Sequence, residues 1–181
     1  VFSGHMIDRI GRTPARFPPE LEDAVFKTIE TWLTDHQAFV GYSSAASGSD
    51  LLFQKAIQKL GGESRIVLPY DVGRFKVDSV NAAGEYWSKL FDEVEANATQ
   101  IVIASPKRTH DAMTYEYANL ILHGMASVRA AQLGSNNGNP VGLVVWNGRP
   151  GDGLGGTTSV VKNWCEWGMD VDQIDISAAA E

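Results

Sequence analysis

Apolar positions recur along this chain at two alternating spacings. Leu21, Ala24, Val25, Thr28, Ile29, Trp32 and Leu33 follow the i, i+3, i+4 pattern of a helix packed on one face. Glu20, Glu22 and Asp23 fall in its first turn, where carboxylates complement the helix dipole. Residues 38–42 are then a short run of strand formers, and residues 43–49 are all Ser, Ala or Gly. Leu52, Phe53, Ala56, Ile57 and Leu60 resume the helical spacing. A short side-chain oxygen on Ser49 or Asp50 is expected to cap this second helix. Gly61-Gly62 ends it, and residues 65–68 return to strand. This is one βαβ unit whose small-residue loop opens a helix, where free amides and the dipole suit a phosphate.

The remainder repeats that alternation. Residues 1–3 read as the end of a first strand, and residues 70–83 as irregular. Tyr86, Trp87, Leu90, Phe91 and Val94 mark an amphipathic helix whose aromatic stripe belongs to the core. Residues 100–104 (QIVIA) form a continuous apolar strand of the kind buried on both faces. A long helix is predicted over 112–132, with Met113, Tyr117, Leu120, Ile121, Gly124, Met125 and Val128 facing inward. Residues 141–146 are a further buried strand. Val160, Val161 and Trp164 belong to a last helix, and residues 169–176 supply an edge strand. About six strands alternating with about five helices predict an α/β fold. It would be a doubly wound, mostly parallel, Rossmann-like sheet flanked by helices on both faces. Such sheets bind ligands beyond the carboxyl ends of their strands, near a switch in strand order. Residues 4–5, 43–50, 105–116 and 148–157 all fall there.

Composition narrows the picture. A chain of 181 residues is most simply one domain, over 1–177, with an alanine-rich tail at 178–181. Its 44% hydrophobic and 20% charged residues separate it from disordered chains. The net charge of −7 argues against nucleic-acid binding, which needs clustered Lys and Arg. No apolar run approaches the ~20 residues of a membrane span, and no secretory signal is visible. The single cysteine, Cys165, excludes an internal disulfide and suits a cytoplasmic protein. Val1 already reads as strand, as expected of a domain cut from a longer polypeptide with fused partner domains.

Three arginines, Arg9, Arg12 and Arg16, stand together in an acidic chain, either as a solvated loop or as a cationic rim for an anionic ligand. The loop at 43–50 has neither G-x-G-x-x-G nor a Walker GK[ST] sequence. Its amides and the hydroxyls of Ser43, Ser44, Ser47 and Ser49, with Gly48 and Asp50, are candidates for phosphate or ribose contact. Gly155, Gly156 and Thr157 pair glycines with a helix start in the same way. Glu116, in the first turn of the long helix near Asp111 and Thr114, is the candidate catalytic carboxylate for N-glycoside cleavage. The alternative is that it merely complements the helix dipole. His110 is a candidate proton carrier. The dispersed histidines and lone cysteine do not form a metal site, and no G-x-S-x-G elbow is present.

The order FSGHMID, GYSSAASGSDLLFQKAI, IVLPY, YEYAN and VVWNGRPGDGLGGT resembles the SLOG superfamily. These are Rossmann-like domains akin to LOG phosphoribohydrolases, DprA proteins and the cytosolic ligand-sensing domains of TRPM channels. The resemblance implies a nucleotide-derived or NAD-derived ligand in the crevice, with no obligatory cofactor. It also implies fusion to effector domains, and homo-oligomerisation is common in the family. By their place at the strand ends or their charge, Gly4, His5, Arg9, Arg16, Arg108 and Thr114 complete the candidate ligand-binding set. LOG enzymes carry P-G-G-x-G-T-x-x-E; here residues 106–111 read PKRTHD and continue to Glu116, so the glutamate is kept and the glycines are lost. Three functions stay open. The first is a sensor of a nucleotide-derived signal, with charge from the arginines, Lys107 and Arg108. The second is a nucleotide N-glycoside hydrolase or transferase using Glu116. The third is an interaction domain with a vestigial pocket.

Overall fold

The computed structural model describes residues 1–107, 112–134, 138–149, 153 and 155–177. Among them six strands and six α-helices follow in order, alternating except where α3 and α4 are consecutive: β1 (Phe2–Gly4), α1 (Glu22–Asp35), β2 (Val40–Ser43), α2 (Ser49–Lys59), β3 (Glu63–Leu68), α3 (Val72–Ser79), α4 (Glu85–Ala96), β4 (Gln100–Ile103), α5 (Met113–Leu133), β5 (Gly142–Trp146), α6 (Thr157–Glu166) and β6 (Val171–Asp175). The strands form two three-stranded sheets, ordered β4-β3-β2 and β1-β5-β6, and every pairing is parallel. β1 lies beside β2, but no ladder joins them among the described residues. The Rossmann-like α/β fold is therefore present, with its sheet parted at one seam.

Side-chain alternation along the strands separates two cores. Ile66 and Leu68 of β3, with Leu143 and Val145 of β5, pack with α1, α2 and α4. Val67 points the other way, onto Ala118, Leu122 and Ala126 of α5. Helices thus cover both faces, with α6 on the β1-β5-β6 half.

Four local expectations are corrected. Gly48, at φ 107°, is the N-cap of α2, so Ser49 and Asp50 are its first two helical residues and cap nothing. A Cβ at Gly48 would collide with the backbone of Met6 and Ile7, so this turn and β1's continuation require glycine. Residues 72–79 are helical; Asp71 caps them by accepting from the Arg74 amide at 2.9 Å. β4 is an edge strand with both ends exposed, because no strand among the described residues pairs with its outer side. The largest correction concerns α5. Its buried residues are Thr114, Ala118, Leu122, Ala126 and Ala130. Met113, Tyr117, Leu120, Gly124 and Val128 lie on the exposed face. Two apolar stripes run along this helix, and periodicity alone selects the one with larger residues.

Candidate ligand cleft

The strand order reverses direction at β1. The chain steps outward through β2, β3 and β4, then crosses back to place β5 on β1's other side. Beyond the carboxyl ends of β1, β2 and β3 lies a cleft of about 430 Å³, lined by Gly4, Ser44 and Pro69 among others. That is the position and size expected of a small-molecule site in an open α/β sheet.

At the floor, His5 is buried and its Nε2 lies 3.0 Å from Asn147 Oδ1, tying the ends of β1 and β5 together. Gly4 admits the close approach of α2: a Cβ there would strike Ser49 Oγ and come within 3.0 Å of Val145. Arg9 lines the mouth. Arg12 instead pairs with Asp8 at 3.4 Å, and the Arg16 amide donates to the same carboxylate at 2.7 Å. The arginine loop therefore contributes one cleft residue and two that organise the loop around Asp8.

The small-residue loop divides in the same fashion. Ser43, Ser47 and Ser49 are buried. Ser49 Oγ donates to the His5 carbonyl at 2.8 Å, Ser43 Oγ donates to the Ser44 carbonyl, and Gln54 donates to Ser43 Oγ at 2.8 Å. The Ser47 carbonyl accepts from the Ile7 amide, and the Ser47 amide donates to the Ser79 carbonyl, each at 3.0 Å. Ser49 Oγ and the Ser47 carbonyl thus stitch the seam to residues 5 and 7, while the other bonds hold the loop on its own side. Ser44, Ala46 and Asp50 remain on the cleft surface.

Asp50 is partly exposed to the cleft yet densely surrounded by protein, and the surroundings govern its ionisation. Burial pushes its carboxyl up to about 7, against the opposing pull of the Ala46 and Gly4 amides. Asp78 lines the same cleft and belongs to a polar chain. Tyr70 Oη donates to Asp78 at 3.0 Å and lies 2.7 Å from Tyr115 Oη, while Arg74 Nε reaches Asp78 at 3.0 Å. Burial, then the bond to Tyr115, raise the Tyr70 phenol, so it stays protonated. Asp78, Tyr115, Asn119 and Asn147 were not among the sequence candidates. YEYAN was in view only as the frame of Glu116, and an aspartate inside α3 carries no local signal.

The far wall is the turn leading into α6. Gly155, Gly156 and Thr157 all line the cleft. Gly155 has φ +79°, and a Cβ on it would come within 2.6 Å of Tyr115 Cβ, so the turn can pass α5 only as glycine. Glu116 holds this turn. Its Oε2 accepts from the Gly155 amide at 3.1 Å and Ser159 Oγ at 3.0 Å, and its Oε1 accepts from Asn163 Nδ2 at 2.7 Å. Asn119 adds a bond to the Gly155 carbonyl at 3.2 Å. Glu116 is thus spent on three donors of the α6 segment and lies outside the cleft lining. Thr114 is buried on the inward face of α5. Arg108, His110 and Asp111 lie outside the described residues, and Lys107 is exposed.

A second cavity, of about 850 Å³, opens at the amino ends of the strands between Val40, Glu63 and Val141. The ends of α1 and α5 border it at His36 and Leu133, and helix carboxyl ends disfavour anions. The carboxyl-end cleft, with helix amino ends and convergent polar groups, is the better candidate despite its smaller volume. Among the described residues no group of His, Cys, Asp and Glu is arranged to hold a metal ion. No helix among them is long and apolar enough to cross a membrane. A comparison with protein-family models finds no match, and neither does one with curated proteins.

Proposed function

We propose that this domain binds a nucleotide-derived small molecule in the carboxyl-end cleft and acts as a sensor of it. One observation carries the reading. The cleft at the switch point joins a glycine turn opening a ten-residue helix, α6, to two carboxylates on the opposite side, Asp50 and Asp78. The first-turn amides of α6, beginning at Thr157, and Arg9 suit a phosphate, since the Gly155 amide is already held by Glu116. Carboxylates repel phosphate but accept hydrogen bonds from hydroxyls, so Asp50 and Asp78 suit the ribosyl end. This orientation reverses the one expected from residues 43–50, whose buried serines are already engaged. The SLOG-like motif order supports the same ligand class.

Equilibrium dialysis against AMP, NAD, ADP-ribose and cyclic nucleotides, with both chambers read by liquid chromatography, tests the proposal. One compound should be retained intact, and Ser44→Trp, which fills the cleft from a half-buried position, should abolish retention. Failure to retain any of them would count against the ligand class. Release of free base would instead identify turnover, and Asp50 and Asp78, which line the cleft, would then be the carboxylates to test rather than Glu116.

A further inference from the structure

Arg65 is the one cation within β3, and the register sets it between Tyr42 of β2 and Gln100 of β4. Alternation puts it on the face of Val67, which packs under α5. Its guanidinium carbon lies 5.8 Å from the centroid of the Tyr42 ring. Arg129 reaches the same spot from α5, and the two guanidiniums share one carboxylate. Arg65 Nη2 donates to Glu63 Oε2 and Arg129 Nη2 to Glu63 Oε1, each at 2.7 Å. The bond from Arg65, then that from Arg129, hold Glu63 below the ordinary carboxylate range, so it stays ionised. Two cations on one anion leave the cluster with a surplus positive charge. Arg129 is also under-used. Glu63 is its one hydrogen-bond partner among the described residues, and its Nε is buried without any. A buried donor left unpaired costs about 1–3 kcal/mol.

A slot of about 380 Å³ adjoins these groups, bordered by Gly124, Met125 and Val128 of α5, by Tyr42 and by both arginines. Gly124 keeps it open. A Cβ there would meet nothing within 4 Å, so the fold does not require glycine, although it costs a helix interior about 0.5–1 kcal/mol relative to alanine. The walls are of two kinds, guanidinium on one side and the apolar Met125 and Val128 on the other. Guanidinium holds a carboxylate through two parallel bonds, and a thioether packs well against the edge of an aromatic ring. The carboxyl end of α5 disfavours anions only within its last turn, and Gly124 stands about two and a half turns before Leu133.

We propose that this slot is a second small-molecule site, taking a compact aromatic monocarboxylate. Its carboxylate would sit at Arg65 and Arg129, and its ring would pass Gly124 to lie against Met125 and Val128. A single surplus charge matches a monoanion, and the volume is that of a small-molecule pocket. The slot shares no lining residue with the carboxyl-end cleft, and the proposal does not rest on the ligand reading of that cleft.

Titration of the nitrogen-15-labelled chain with sodium benzoate, read by NMR at arginine Nε–H and backbone amide signals, tests it. The Nε–H signals of Arg65 and Arg129 and the Gly124 amide should shift together and saturate. Benzyl alcohol, which has the ring without the charge, should leave them in place. Gly124→Leu puts a side chain into the slot and should abolish the shifts without lowering the melting temperature. Arg129→Gln leaves Glu63 its bond to Arg65 and should weaken benzoate binding about tenfold or more, as loss of a charge-assisted bond implies. Shifts that never saturate overturn the proposal, as do shifts that either variant leaves unchanged or that benzyl alcohol reproduces. Inorganic phosphate binding as tightly as benzoate would overturn the carboxylate assignment.

Discussion

Asp50 carries a pH signature that can be read without knowing the ligand. Its carboxyl titrates near 7 in the folded chain, above its ordinary value of 3.8, because its surroundings penalise the anion. Above pH 7 the group is ionised in both folded and unfolded chains, and the folded state bears the whole penalty. Below about pH 4 both are neutral and the penalty vanishes. Its contribution to stability therefore worsens as pH rises from 4 to 7. Asp50→Asn removes the charge while keeping one acceptor oxygen. The variant should match the parent at pH 4 and exceed it by about 1–3 kcal/mol at pH 8. Urea melts at the two pH values check this, and equal stability at pH 8 would mean the carboxylate is well hydrated. Residue type was legible at this scale, but direction was not. The text SSAASGSD announces small polar groups at a helix start. That Ser47 and Ser49 are buried follows from β1's continuation lying against them, across about forty residues of chain, while Ser43 is held by Gln54. Glu116 was likewise visible as a first-turn carboxylate, whereas its three partners come from residues 155–163 and could be found only once α6 had docked.

At the scale of elements, the strands and most helices follow from spacing, since each buries one face or both. α5 is the instructive exception. Its fully buried positions are mostly alanine, with Leu122 as the one large side chain among them and Ile121 and Met125 half-buried beside it, because it runs close over β2 and β3. Hydrophobic periodicity weighs side-chain size, so the bulkier outward stripe dominates the pattern. The two faces predict opposite sensitivities. Leu122→Ala should cost about 2–4 kcal/mol by leaving a cavity against Tyr42 and Val67. Val128→Ala should cost less than about 0.5 kcal/mol in dilute solution. Thermal melts at low protein concentration distinguish them, and comparable losses would mean that Val128 is buried within the monomer. α3 escaped detection for a different reason: eight residues with only Phe75 and Ser79 buried carry too little periodicity to register.

For the molecule as a whole, the position of the candidate cleft was legible and its lining only in part. Parallel strands send every helix amino end to one side, so the informative loops converged there before any contact was known. The parting of the sheet was not legible, because β1 and β2 are each ordinary short strands and nothing local records whether they pair. That parting gives the fold a mechanical character of its own. Ladder hydrogen bonds make each half-sheet a stiff plate, while the line between them is stitched by a few bonds from the turn at 47–49 to residues 5–7. On the proposed reading, a small molecule seated at the end of that line would touch both plates and act as a rivet. Amide exchange at Ile7, Ser47 and Ser49 should therefore slow more on ligand binding than exchange within β3 or β5; uniform slowing would mean the plates already move as one. A seam with so few hydrogen bonds, backed by one shared apolar core, would on that reading convert occupancy of a small cleft into added stiffness at surfaces the ligand never reaches.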